Sequence, residues 1–184
     1  MSRSEVQADG ARWRASPRAA LALVVLVVAG CEVPPAEELI RFKIGDTALV
    51  DIACDPESGE CQGDEVVDGV LDYKAALSVT QLSAEFLQYE VTYDLGDYAS
   101  PPAFASPTEI TAISGTVRRF SLRAAGIEQR DWMAAYYPQE SIVGTATMTL
   151  YGYDHKDQIV SVKTKFDVKF ADFTGGGDTT AGAR

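Results

Sequence analysis

The chain has 184 residues, 46% of them hydrophobic, and carries 16 basic against 27 acidic side chains, a formal net charge of −11. Net charge of that sign repels nucleic acid and anionic lipid headgroups, so neither is expected as a partner. A single histidine and three cysteines leave little material for imidazole or thiolate chemistry.

At the N-terminus Arg3, Arg12, Arg14 and Arg18 precede an uninterrupted apolar run of twelve residues, Ala19 to Gly30, which stops at Cys31. A membrane-spanning helix needs roughly 20 apolar residues. The run therefore predicts a secretory signal, with its basic, apolar and small-residue regions in order. An ordinary cleaved signal with Cys31 merely nearby is the plain reading. A permanent signal anchor is disfavoured by the short run and by Val33-Pro34-Pro35. Val28-Ala29-Gly30-Cys31 closely resembles the lipobox of bacterial lipoproteins. That resemblance implies cleavage before Cys31, a diacylglycerol on its sulfur, and membrane attachment in the bacterial cell envelope. Each buried methylene contributes about 0.8 kcal/mol, and two or more acyl chains anchor a protein stably. Enteric members of that family use an aspartate after the cysteine as an inner-membrane retention signal. Glu32 stands there instead, which points to the outer membrane.

Removing residues 1–30 takes away four of the 16 bases and two of the 27 acids, Glu5 and Asp9, leaving 12 and 25 and a net charge of −13. The remaining 154 residues, Cys31 to Arg184, suit a single domain. Residues 31–38 read as the lipidated cysteine and a Pro-containing tether, and residues 39–173 as the folded domain. Residues 174–184 contain no large apolar side chain, which predicts a disordered tail.

Taken in chain order, the domain opens with a weak strand near 42–52. Cys54 and Cys61 follow in Cys-Asp-Pro-Glu-Ser-Gly-Glu-Cys, where Pro56 and Gly59 make a turn that can bring the sulfurs together. In an oxidising compartment a disulfide is the default for such a pair. A ring this small stabilises by about 2.5 kcal/mol. Zinc is the rival; it requires four ligands, and His155 is remote in sequence. Around the same loop Asp51, Asp55, Glu57, Glu60, Asp64, Glu65 and Asp68 gather hard oxygen donors of the kind calcium uses, without the order of an EF-hand. Asp55, Glu57, Glu60 and Asp64 are the candidate metal ligands, and a solvated acidic loop is the plain alternative.

Strict alternation marks the strands that follow. Over 71–79 Leu71, Tyr73, Ala75, Leu77 and Val79 share one face, and over 87–94 Leu87, Tyr89, Val91 and Tyr93 do the same. Asp94-Leu-Gly-Asp97 and Pro101-Pro102 read as turns. A weaker strand at 116–122 turns Phe120 and Leu122 inward. Helical spacing from Ile127 and a stop at Pro138 predict one short helix at 127–136. There Trp132 and Met133 are either a ligand platform or, more simply, a plug for the end of the fold. Over 142–151 Ile142, Ala146, Met148 and Leu150 oppose Thr145, Thr147 and Thr149. Val160, Val162, Phe166, Val168 and Phe170 then alternate with Ser161, Lys163, Lys165, Asp167 and Lys169. The lysines suit an outward or edge face, where they block strand-to-strand aggregation.

Such strands bury a core only by stacking two sheets, so the expected fold is all-β, an antiparallel β-sandwich with one short helix. The hairpin of Gly144–Tyr153 and Ile159–Phe170 resembles the closing hairpin of immunoglobulin-like and fibronectin-III-like domains. The resemblance covers roughly residues 65–173 and lacks the tryptophan and inter-sheet cysteines of true immunoglobulin domains. It implies no catalytic residues. His155 lies in a predicted turn, and no Gly-x-Ser-x-Gly sequence accompanies it, so no enzyme is expected. The sequence reading is a non-enzymatic envelope lipoprotein, structural or protein-interacting, with a membrane and an envelope protein as partners and no nucleic acid. The alternative is a ligand-binding module for carbohydrate or calcium, with Tyr151 and Tyr153 as the aromatic pair.

Overall fold

Alternating side chains leave each segment with one apolar face, and the chain buries these faces against one another. The computed structural model describes residues 36–53, 63, 65–74 and 82–173. Its elements are α1 (Ala36–Leu39), β1 (Ile40–Ile44), β2 (Ala48–Asp51), β3 (Val66–Tyr73), β4 (Ser83–Asp94), β5 (Phe104–Ile113), β6 (Thr116–Arg123), α2 (Ile127–Tyr136), β7 (Ile142–Asp154) and β8 (Ile159–Ala171). All of them belong to one compact unit, Pro34–Arg184. The small sheet has the order β1-β3-β6, and the large sheet, which curls, the order β2-β8-β7-β4-β5. The result is a mostly β, sandwich-like fold with one substantial helix.

The inward rows form a continuous core. On β7 and β8, Ile142, Ala146, Met148 and Leu150 are buried, as are Val160, Val162, Phe166, Val168 and Phe170. Leu71 and Tyr73 of β3 and Tyr89, Val91 and Tyr93 of β4 join them, with further buried side chains from β1, β2, β5, β6 and α2. Edge-on ring contacts pack the inner face of the large sheet: Tyr93 on Phe170 at 5.6 Å and Tyr89 on Phe104 at 5.9 Å between ring centroids. The Tyr93 hydroxyl donates to the carbonyl of Ala124 at 2.6 Å, tying the large sheet to the chain just beyond β6. Burial is the main cause that pushes this phenol far above its ordinary value, so it stays a neutral donor.

Two short connections carry the chain between sheets. Residues 45–47 take it from β1 to β2, and Ser114-Gly115 from β5 to β6. Gly115 adopts φ 78°, open to glycine and costly for other residues. Its N–H donates to the Tyr73 carbonyl at 2.7 Å, while the Ser114 N–H donates to the Leu82 carbonyl at 2.8 Å. The β6 edge carries Arg118 on the same side of its strand as Phe120 and Leu122, yet exposed. An inward-pointing charge of this kind blunts pairing with another chain.

Several expectations need correction. The weak strand near 42–52 is two strands in different sheets, and β2 runs parallel to β8, so the large sheet is not wholly antiparallel. The strand expected at 71–79 is centred earlier: β3 starts at Val66, with Leu71 and Tyr73 buried, and Ala75, Leu77 and Val79 lie outside the described residues. Leu87 is exposed, because a β-bulge between Phe86 and Gln88 shifts the phase of β4. Strand β5 was not expected at all. Its outward Pro107 and half-buried Phe104, Ser106 and Thr108 blur the alternation at a sheet edge. Of the expected tether, residues 36–38 are in α1, and residues 31–35 lie outside the described residues.

The β7–β8 turn is held by one carboxylate. Asp154 accepts the N–H of Lys156 at 2.8 Å and of Gln158 at 3.0 Å, and Asp157 adopts φ 57°. Partial burial opposes ionisation of Asp154, but the two N–H donors, with His155 and Lys156, outweigh it and hold its pKa below the usual carboxylate value. A lowered pKa gives stability that is present above the unfolded value and lost as pH falls through the folded one. Asp154→Ala is thus expected to lower the melting temperature near neutral pH. In paired melts the difference from wild type should vanish below the carboxylate range; a constant difference would assign the loss to something other than charge.

Candidate binding surface

The β7–β8 ladder sets Tyr151 and Tyr153 on the outer face of the large sheet, since the inward positions go to Leu150 and Gly152. Tyr153 lies opposite Ile159 on β8 and Glu85 on β4; Tyr151 lies opposite Ser161 and Gln88. The Tyr151 hydroxyl donates to Glu90 Oε2 at 3.1 Å. Partial burial first, and that carboxylate second, raise its pKa, so it is a neutral phenol near neutral pH. Both sequence-predicted tyrosines are therefore brought together on one sheet face.

The bulge adds a residue that the alternation had turned the wrong way. Leu87 protrudes beside Gln88, and with Ala105, Ser106 and Pro107 of the neighbouring strand it lines a shallow depression of about 200 Å³. Ile159, Tyr153, Leu87 and Tyr151 are 78%, 48%, 47% and 37% exposed, a row of large apolar side chains interleaved with Glu85, Gln88 and Glu90. Ile159 is the first residue of its strand, and Leu87 follows no alternation. The only sequence signal for Leu87 is the three-residue step from Phe86 to Tyr89, one more than the strand period, that a bulge requires.

The rest of the sequence-predicted chemistry divides into structural groups and positions not described. Met133 is fully buried, as the plug reading of α2 requires. Trp132 stacks on Tyr136 at 4.5 Å, and Tyr98 meets Tyr137 edge-on at 5.3 Å, so these rings largely serve one another. Gln129 is buried at the helix start, where its Oε1 accepts the Gly126 N–H at 3.0 Å and its Nε2 donates to the Pro102 carbonyl at 3.3 Å. Of the acidic cluster, Asp51 is buried and accepts the N–H groups of Ala53 and Phe173 at 3.1 and 3.3 Å. Glu65 pairs with Arg123 at 3.5 Å and Arg130 at 3.4 Å, and Asp68 accepts the Ser121 hydroxyl at 2.6 Å. Among the described residues no three histidine, cysteine or acidic side chains gather as a metal site. Cys31, Cys54, Cys61, Asp55, Glu57, Glu60 and Asp64 lie outside the described residues. Comparisons of the chain with protein-family models, curated proteins and solved structures return no match.

Proposed function

We propose that the chain is an exported, lipid-anchored, non-enzymatic module that presents an immunoglobulin-like sandwich to a protein partner in the bacterial envelope, with the outer membrane favoured. The observation that carries this reading is the apolar row Ile159-Tyr153-Tyr151-Leu87 on the outer face of the large sheet. Contiguous apolar side chains rimmed by polar ones are the makeup of protein interfaces. The adjacent depression is lined by Leu87 and Pro107 and not by the tyrosines, which favours a broad protein contact over a sugar-stacking groove. Support for the immunoglobulin-like assignment comes from strand order. The first, third and sixth strands share one sheet, and the last hairpin sits at the middle of the other. Export and anchoring rest on the residues around Cys31, as does the oxidising compartment in which Cys54 and Cys61 would pair.

The test is crosslinking in intact cells with wild type and a Tyr153→Lys/Ile159→Lys variant. A crosslinked species present with wild type and lost in an equally stable variant is the expected result; retention of the species would remove the row from the interface. The anchor has its own arm, in which Cys31→Ser should release the protein from the membrane fraction or leave uncleaved precursor. Normal processing and unchanged partitioning of that variant would overturn lipidation.

A further inference from the structure

The two sheets carry opposite charge. On the outer face of the small sheet stand four bases, Arg41, Lys43, Arg119 and Arg123, against two acids, Asp68 and Asp72, with Arg118 on the inward side; the strands of the large sheet hold three bases against seven acids. Arg123 is committed to Glu65. Arg41 and Lys43 alternate with buried or half-buried residues on β1, Arg119 precedes half-buried Phe120 on β6, and all three stand exposed. Lys43 and Arg119 flank Val70 on one cross-strand row, and Arg41 lies on the next, in line with Asp72 and Val117. None of these three cations makes an ion pair among the described residues. Between the strands, Asp68, Val70, Arg119 and Ser121 rim a shallow depression of about 280 Å³.

From this distribution we infer that the outer face of the small sheet rests on anionic phospholipid headgroups, with Arg41, Lys43 and Arg119 on their phosphates. Net charge alone argues for repulsion; the distribution reverses that for one face. Guanidinium groups pair phosphate oxygens two at a time, and an ammonium adds a point charge. Location rests on the lipid-anchor reading. Arg41 lies only ten positions beyond Cys31, so a lipid on Cys31 keeps β1 within about 36 Å of the bilayer. The field that attracts the small sheet repels the acidic large sheet. The domain then lies with the apolar row of Tyr151, Tyr153 and Ile159 turned away from the membrane, free for a partner.

The test uses the chain from Pro34 to Arg184, which contains every described element and carries no lipid, so it does not depend on the anchor. The probe is sedimentation with vesicles of phosphatidylcholine alone or of phosphatidylcholine and phosphatidylglycerol in equal parts, at low salt. Binding to the mixed vesicles only, lost when salt shortens the Debye length to about 3 Å, is the expected result. Each cation at such a surface strengthens binding about fivefold. Arg41→Gln/Lys43→Gln/Arg119→Gln is then expected to weaken it about a hundredfold, whereas Lys163→Gln/Lys165→Gln/Lys169→Gln, the same change in net charge on the other sheet, should leave it within about twofold. Absence of binding to the mixed vesicles overturns the proposal, as does equal loss in the two variants. Loss of a cell-derived crosslink in the first variant without any vesicle binding also overturns it, in favour of an acidic protein. If Cys31→Ser shows no anchor while the vesicle result stands, the surface survives and the route to it does not.

Discussion

Phe166→Ala is expected to leave the domain marginal or unfolded. Phe166 is 5% exposed and points between the sheets from the middle of β8. Its ladder neighbour on β7 is Ala146, too small to fill the space that the ring would vacate. Truncating a buried phenylalanine costs about 3–5 kcal/mol, because the lost transfer energy and the remaining cavity add. Domains of this size have about 5–15 kcal/mol in total. One position away, Lys165 is exposed opposite Thr147, and Lys165→Ala is expected to change stability by no more than about 0.5 kcal/mol. Paired urea melts check both. A tolerant Phe166 beside an intolerant Lys165 would mean that β8 is one residue out of register, since a single step turns every side chain to the other face.

That pair also marks where the fold was legible in sequence. β7 and β8 are central, long and regular, so each side chain sees either the core or water and the alternation is clean. α2 was equally plain, since Pro138 ends it and Gly126 precedes it. Legibility failed at edges and irregularities. β5 has a partner on one side only, and in its first half the inward side chains are half-buried, so the sequence there is free to mix Phe, Ser and Thr. β1 and β2 read as one strand because three residues suffice to step between sheets. In the candidate surface, Tyr151 and Tyr153 were visible from period alone. Leu87 was not, because an extra residue in one strand inverts the phase downstream, and period counting has no way to place it. Whether two sheets carry opposite charge is invisible until the strands are sorted: Arg41, Lys43 and Arg119 are 76 residues apart from Lys43 to Arg119 and meet only through β3.

The same bulge makes Gly152→Ala the most damaging small change expected on the large sheet. Gly152 lies in β7 opposite Phe86 and Val160 and is buried. A Cβ there would collide with the carbonyl oxygen of Glu85, and would approach the Glu85 carbonyl carbon to 2.6 Å and Phe86 Cα to 2.7 Å. All three are backbone atoms, which no rotamer change can move. Overpacking typically costs about 1–3 kcal/mol, and with strand backbone as the obstacle Gly152→Ala is expected at or above the top of that range. Gly45, in the turn between β1 and β2, has nothing within 4 Å of an added Cβ, so Gly45→Ala is the matched control and should be nearly silent. The cause can be isolated as well. Deleting Leu87 takes out the extra residue and leaves Ala84 and Phe86 in phase with Tyr89, Val91 and Tyr93, so the ladder can run straight past Gly152. In a double-mutant cycle Gly152→Ala should then cost at least about 1 kcal/mol less in the deletion background than in wild type. An equal cost in both would show that the close approach belongs to the β4–β7 pairing itself and not to the bulge.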